Sequence, residues 1–251
     1  MQLFPGVEPP MQDMIAQLAP TGVLRAGINL SNFLLVTGRS ADGGPDGVSP
    51  DLARAIATHM GLEVHYVPYP SPGVLADAAP LDAWDIALIG AEPQRAEIIS
   101  FTPAYCEIQA TYLVPEHSKV REIADVDRAG IRIAVADKTA YGLWLDRNIH
   151  SAELVRCAGV DASLAALLEG RADVLAGLKP RLITDIAQLP ASRMLEGQFM
   201  AVQQAIGTPR AKAAATQYLV RLVESAKSSG LIQRLIDKHG VKGLSVAPSS
   251  S

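Results

Sequence analysis

Arg95 closes a short segment, residues 90–95, that follows the apolar run at residues 86–89. A guanidinium carries a rigid fork of N–H donors that fits a carboxylate through two parallel hydrogen bonds, a geometry the lysine ammonium lacks. Three further segments stand in the same relation to an apolar run: residues 29–32, 136–141 and 177–181. Arg95 is read as the one charged donor in these four loops suited to gripping a carboxylate. The competing reading is a solvated surface arginine, since most loop arginines are exposed. Thr139 precedes a helical pattern that begins at Ala140 and Tyr141. Its hydroxyl suits a helix cap, and the amide-rich start of that helix also attracts an anion, so the two roles are compatible. Cys106 and Cys157 fit no metal-ligand spacing and are expected as buried small hydrophobes. With no nucleophile–base pair, metal cluster or phosphate loop visible, neither a catalytic group, a metal nor another cofactor is expected.

The elements that must position these residues follow one plan used twice. Residues 23–30 read as a strand, and a Gly/Asp-rich turn follows. Ser49 and Pro50 read as the cap and first turn of a helix carrying Leu52, Ala55, Ile56 and His59 on one face. Leu62, Val64 and Tyr66 alternate as a second strand, residues 73–79 as a short helix, and Asp85 opens the run IALIG. After Gly130 the order recurs: strand 131–136, helix 140–148, strand 153–157, a helix capped by Asp161 and ended by Gly170, then Asp173 before the run VLAG. Residues 201–206 read as one more strand. Thr208 and Pro209 read as the start of a helix with Tyr218, Leu219, Leu222, Val223 and Ala226 on one face, and residues 231–239 as a last helix.

Two βαβαβ halves predict an α/β fold of two lobes, each a mainly parallel sheet flanked by helices, because parallel strands need crossover connections. Ligands of such sheets bind beyond the carboxyl ends of the strands, which places all four loops at one cleft. The expected organisation is an extension at residues 1–19, a first lobe at 20–109, a second at 110–205, and a return to the first lobe at 206–251.

Composition bounds the function. The 251 residues carry a formal charge of −4 with scattered basic residues, so there is no positive stripe to track a phosphate backbone, and nucleic acid is excluded as a partner. No apolar run approaches the roughly 20 residues of a spanning helix. The first basic residue is Arg25, while Glu8, Asp13 and three prolines fall within the first ten or so positions, so no secretory signal is read in this chain.

The segment DIALIGAEPQRAEIISFTPAY, residues 85–105, resembles the family 3 extracellular solute-binding proteins, the amino-acid-binding components of ABC importers with the type II periplasmic-binding-protein fold. The likeness runs through GVLRAGINL, DGVSPDLARAIATHMGLEV, GIRIAVADKT, LLEGRADVLAG and SSGLIQRLIDKHGV. It implies that Arg95 clamps a ligand carboxylate and that Thr139 makes a second contact from the other lobe as the two close. It also implies hinge crossings near residues 108–112 and 203–207, a periplasmic location, a permease partner and a monomer.

Departures from the family pattern are equally specific. Its hydroxyl position falls at Gly90, a threonine position at Glu92, the first-loop aspartate at Asn29, aromatic positions at Asn32 and Pro72, and the ammonium-binding acid at Leu178. Glu92 then either accepts the ligand's ammonium or pairs with Arg95 and orients it for an amine-free carboxylate; the first is favoured. Two rival functions are a cytosolic sensor or scavenger and, using Glu92 as an acid–base group, a dehydratase-like enzyme.

Overall fold

The computed structural model describes residues 3–249 and divides into two compact units, unit 1 of Met1–Glu107 with Gln203–Ser251 and unit 2 of Ile108–Val202. The chain passes from one to the other at 107/108 and returns at 202/203.

Unit 1 opens with α1 (Gln12–Leu18) and β1 (Val23–Asn29), then a two-stranded hairpin of β2 (Gly38–Arg39) and β3 (Pro45–Asp46). It continues through α2 (Val48–His59), β4 (Glu63–Tyr69), α3 (Pro72–Asp77), β5 (Ile86–Gly90) and the first half of β6 (Ile99–Pro115). Unit 2 holds β7 (Arg132–Ala136), α4 (Ala140–Asn148), β8 (Glu153–Cys157), α5 (Val160–Leu168), β9 (Val174–Leu178), α6 (Lys179–Asp185) and β10 (Ser192–Met194). The return passes along β11 (Met200–Pro209), and α7 (Ala213–Ser228), α8 (Leu231–Lys238) and β12 (Ser245–Val246) complete unit 1.

Both units use the same strand order. In unit 1 it is β4-β1-β5-β11, the first three parallel and β11 antiparallel to β5; in unit 2 it is β8-β7-β9-β6, again three parallel strands with β6 antiparallel to β9. The strand after each second crossover is held at its base by the same device. Asp85 accepts hydrogen bonds from the Arg25 backbone (2.8 Å) and guanidinium (2.7 Å), and Asp173 from the Arg132 backbone (2.9 Å) and guanidinium (2.9 Å). The aspartates that open IALIG and VLAG therefore register the third strand of each sheet on the first. Lys212 adds a 2.5 Å bond to Asp85, which is fully buried, while the Asp173 side chain keeps 38% of its surface exposed. Continuous apolar runs suit these strands because both faces are covered: Ile86–Gly90 is buried throughout.

Several local expectations yield to longer-range contacts. The helix predicted from Ser49 starts at Val48, with Gly47 as the residue before it; Ser49 instead hydrogen-bonds the Tyr105 hydroxyl at 3.0 Å. Gly47 sits at φ +149, and a Cβ there would lie 2.3 Å from the Leu35 carbonyl oxygen, so only glycine allows this close approach. Asp161 lies inside the first turn of α5 and bonds Arg181, leaving Gly159 as the cap residue. Thr208 and Pro209 extend β11 rather than opening a helix, and the Thr208 hydroxyl meets that of Thr216 at 2.7 Å. Residues 3–19, expected as an extension, are part of unit 1: Phe4 and Leu18 are fully buried, and the Tyr218 hydroxyl donates to the Glu8 carbonyl. Cys106 and Cys157 are free and buried.

Candidate functional site

In unit 1 the site residues gather at the carboxyl ends of β1 and β5. Residue 90 ends β5, and the chain turns through Glu92 into a single 3-10 turn, Arg95–Glu97. That turn folds the arginine back onto its own strand, where its Nη1 donates to the Gly90 carbonyl at 2.7 Å. Arg95 is only 4% exposed, so the surface-arginine reading fails. Burial pushes its guanidinium down to about 10, against the opposing pull of the Glu92 and Asp77 carboxylates. Glu92 is 5% exposed; its Oε2 accepts the Gln94 N–H at 2.8 Å and its carbonyl accepts the Ala96 N–H. A buried cation and a buried anion thus share one end of the sheet, the arrangement that makes burial of either tolerable.

Asn29 and Asn32 shape the neighbouring loop. The Asn29 side-chain oxygen accepts from the Ser31 N–H and hydroxyl, and that of Asn32 from the Leu34 N–H. These are Asx turns, which bend a chain leaving a strand without a helix or ladder to satisfy its amides. Continuing the β1–β5 register, in which Ile28 faces Leu88, places Leu30 beside Gly90, and the Leu30 N–H donates to the Tyr69 carbonyl at the end of β4.

In unit 2 the corresponding end of β7 leads through Lys138, at φ +54, into α4. A lysine in the left-handed region is uncommon and marks a tight turn. Thr139 follows as the cap: its hydroxyl accepts the Gly142 N–H at 3.1 Å and donates to the Ala136 carbonyl at 2.8 Å. Gly142 leaves room for this cap, because a Cβ there would lie 2.8 Å from the threonine hydroxyl. Ala140 and Tyr141 are buried, and burial raises the Tyr141 hydroxyl to about 12 while its bond to Thr139 and the nearby charge of Arg181 pull the other way.

Arg181 corrects the statement that Arg95 is alone as a guanidinium in these loops. It is spent within unit 2, on Asp185 at 2.7 Å and Asp161 at 2.6 Å. The sequence reading ended a strand at Leu30 and put it in the loop 29–32 but gave it no ligand role, and it left out Phe33, although each is large and apolar and remains 39% and 42% exposed. The available signal was an apolar run continuing past the end of β1 into a loop. Asp46, Asp51 and His239 have ligand atoms within 4.8 Å of one another, close enough for a metal ion. Lys238 at 2.6 Å and Arg54 at 3.3 Å already neutralise Asp51, however, so the group is an ion-pair network joining α2 to α8. No helix among the described residues is long and apolar enough to cross a membrane.

Comparison with solved structures identifies the fold. A mutant of ArgBP from T. maritima superposes with a TM-score of 0.71 at 19% identity, covering 91% of this chain and all of that one. An amino acid ABC transporter substrate-binding protein from Streptococcus pneumoniae, bound to L-arginine, gives 0.70 at 17% identity over 90% of this chain and 98% of its own. A putative ABC transporter binding component from Wolinella succinogenes, complexed with lysine, gives 0.70 at 19% identity over 86% and 95%. The fold is that of the type II periplasmic binding proteins. No curated protein matches the sequence. The model of the bacterial extracellular solute-binding proteins, family 3, matches residues 28–242, which include every residue of the candidate site and all of the repeated plan but the start of β1; the chain belongs to that family.

Proposed function

We propose that this chain captures a small carboxylate-bearing solute at Arg95 for an ABC-type importer. The observation that carries the reading is a guanidinium 4% exposed at the carboxyl end of a parallel strand, where a fork of donors meets little competition from water. Its neighbour Glu92 decides between the two kinds of carboxylate. A buried positive and a buried negative group side by side complement a zwitterion, the ligand's carboxylate on Arg95 and its ammonium on Glu92, whereas an amine-free anion leaves the site with excess negative charge. The amino-acid reading agrees with the structural relatives that hold arginine and lysine. Use of Glu92 as an enzymatic base has less in its favour, because its carboxylate is fixed by the Gln94 N–H.

Thr139 and the start of α4 supply the second half of the proposal. A ligand held by unit 1 and then touched by the α4 terminus is bound more tightly when the two units close on it, so binding shifts the open–closed population. The permease then recognises the closed form. Isothermal titration calorimetry of the full chain with amino acids and their amine-free analogues tests the reading, together with Arg95→Ala. Amino acids are expected to bind, the variant to bind none of them, and small-angle scattering to register compaction on saturation. Unchanged affinity in the variant removes the carboxylate clamp, and preference for amine-free acids removes the ammonium role of Glu92.

A further inference from the structure

Large apolar side chains are seldom left in water at the mouth of a polar site without a reason, and Leu30 stands at this one, with Phe33 three residues on in the same loop. Leu30 lies between the ends of β4 and β5, bonded through its N–H to the Tyr69 carbonyl and beside Gly90, the residue whose carbonyl holds Arg95. Adjacent strands are about 4.8 Å apart, so an organic group attached to a carboxylate at Arg95 needs only a few bonds to reach it. Phe33 is in the same loop, on the far side of the Asx turn built by Asn29.

Leu30 also borders a cavity of about 1010 Å³ within unit 1, shared with Val36, Tyr66 and Pro68. The charged groups that line it are Arg39 and Arg54 against the single carboxylate of Asp42. That carboxylate accepts the Ser40 hydroxyl and the Gly44 N–H, which lower its pKa and keep it ionised. The unit 1 loops offer a second cation little: residues 29–37 and 69–73 contain no acid, and residues 90–94 contain Glu92 alone; in unit 2, Asp137 of the loop 136–141 has Arg156 at 3.9 Å. A basic side chain entering here would meet hydrocarbon and two guanidinium groups against one carboxylate, Arg54 being paired with Asp51 at 3.3 Å.

We infer that the ligand carries an apolar body, received by Leu30 and Phe33, and that basic amino acids are excluded, in contrast to the relatives that hold arginine and lysine. The inference rests on the carboxylate reading of Arg95 and names the class of solute. It is tested on the full chain by calorimetry with leucine, phenylalanine, glutamine, arginine and lysine, in wild type, Phe33→Ala, Phe33→Leu and Arg95→Ala. Leucine or phenylalanine is expected to bind about 100-fold more tightly than arginine or lysine, hydrophobic fit and an unpaired cation both contributing. Phe33→Ala is expected to weaken the preferred ligand about tenfold, with partial recovery in Phe33→Leu, as an apolar contact requires. Arginine, lysine or glutamine binding at least as well as leucine and phenylalanine overturns the inference, and so does an unchanged affinity in Phe33→Ala. If Arg95→Ala abolishes that polar ligand's binding, the carboxylate reading survives. Absence of binding by all five amino acids overturns the inference, and if the amine-free analogues also fail to bind, the carboxylate reading falls with it.

Discussion

Arg95 should make the ligand-free protein less stable than it could be. Its guanidinium falls from an ordinary value of 12.5 to about 10 because burial disfavours the charge more than Glu92 and Asp77 restore it. At about 1.4 kcal/mol per pH unit, the folded state bears a cost of about 3 kcal/mol. The sign follows from the direction: a base whose proton is held less firmly when folded weakens the fold wherever it is charged, here at all pH below about 10. A ligand carboxylate offsets that cost on binding. Replacing Arg95 alone tests binding but does not isolate this stability cost, since Glu92 at 5% exposure would then lose its countercharge, a penalty of about 3–5 kcal/mol. The double variant Arg95→Met with Glu92→Gln removes both charges, and the glutamine oxygen can still accept the Gln94 N–H. Ligand-free, it should gain up to about 3 kcal/mol over wild type, or roughly 6–12 °C in the unit 1 transition, while losing all ligand binding. Differential scanning calorimetry and urea titration measure the first, isothermal titration calorimetry the second. A double variant clearly less stable than wild type would show that the buried pair supports the fold instead of taxing it.

The paired aspartates permit an internal comparison. Asp85→Ala leaves Arg25 and Lys212 facing a buried gap and should cost about 3–5 kcal/mol, while Asp173→Ala, at a half-exposed copy of the same contact, should cost about 1 kcal/mol; equal losses in urea titration would mean burial does not set the difference. At Asp51, burial pushes the carboxyl up, but bonds from Lys238 and His239 outweigh it and hold it below the ordinary range. A depressed carboxylate contributes stability above its unfolded value of about 3.9 and loses it as pH falls through the lower folded one. Acid titration below pH about 4 should therefore release α8 from α2, and Asp51→Asn should flatten that limb of the stability curve; an unchanged limb would reject the assignment. Thr139→Ala should cost about 1 kcal/mol as a lost helix cap, with Thr139→Ser recovering most of it in thermal melts; full stability in the alanine variant would deny the cap.

Much of this architecture is written locally. Apolar runs such as IALIG and VLAG, each opened by an aspartate and separated by capped amphipathic segments, require parallel strands with crossovers, and that requirement alone yields two α/β halves with their loops at the strand ends. Short-range signals decide such features because hydrophobic period and turn chemistry act over a few residues. They misread Ser49 and Thr208, whose partners lie at Tyr105 and Thr216: a hydroxyl that can cap a helix bonds whichever acceptor the assembled chain brings nearest. Distance in sequence also hid the matching clasps of Asp85 on Arg25 and Asp173 on Arg132, 60 and 41 residues apart. Identity and position singled out Arg95, yet whether it was a solvated side chain or a buried charge depended on how β5 and its 3-10 turn pack, as did the exposure of Leu30 and Phe33. Burial is a property of everything that surrounds a residue, so its consequences for charge and for ligand choice are set only when the strands have been brought side by side.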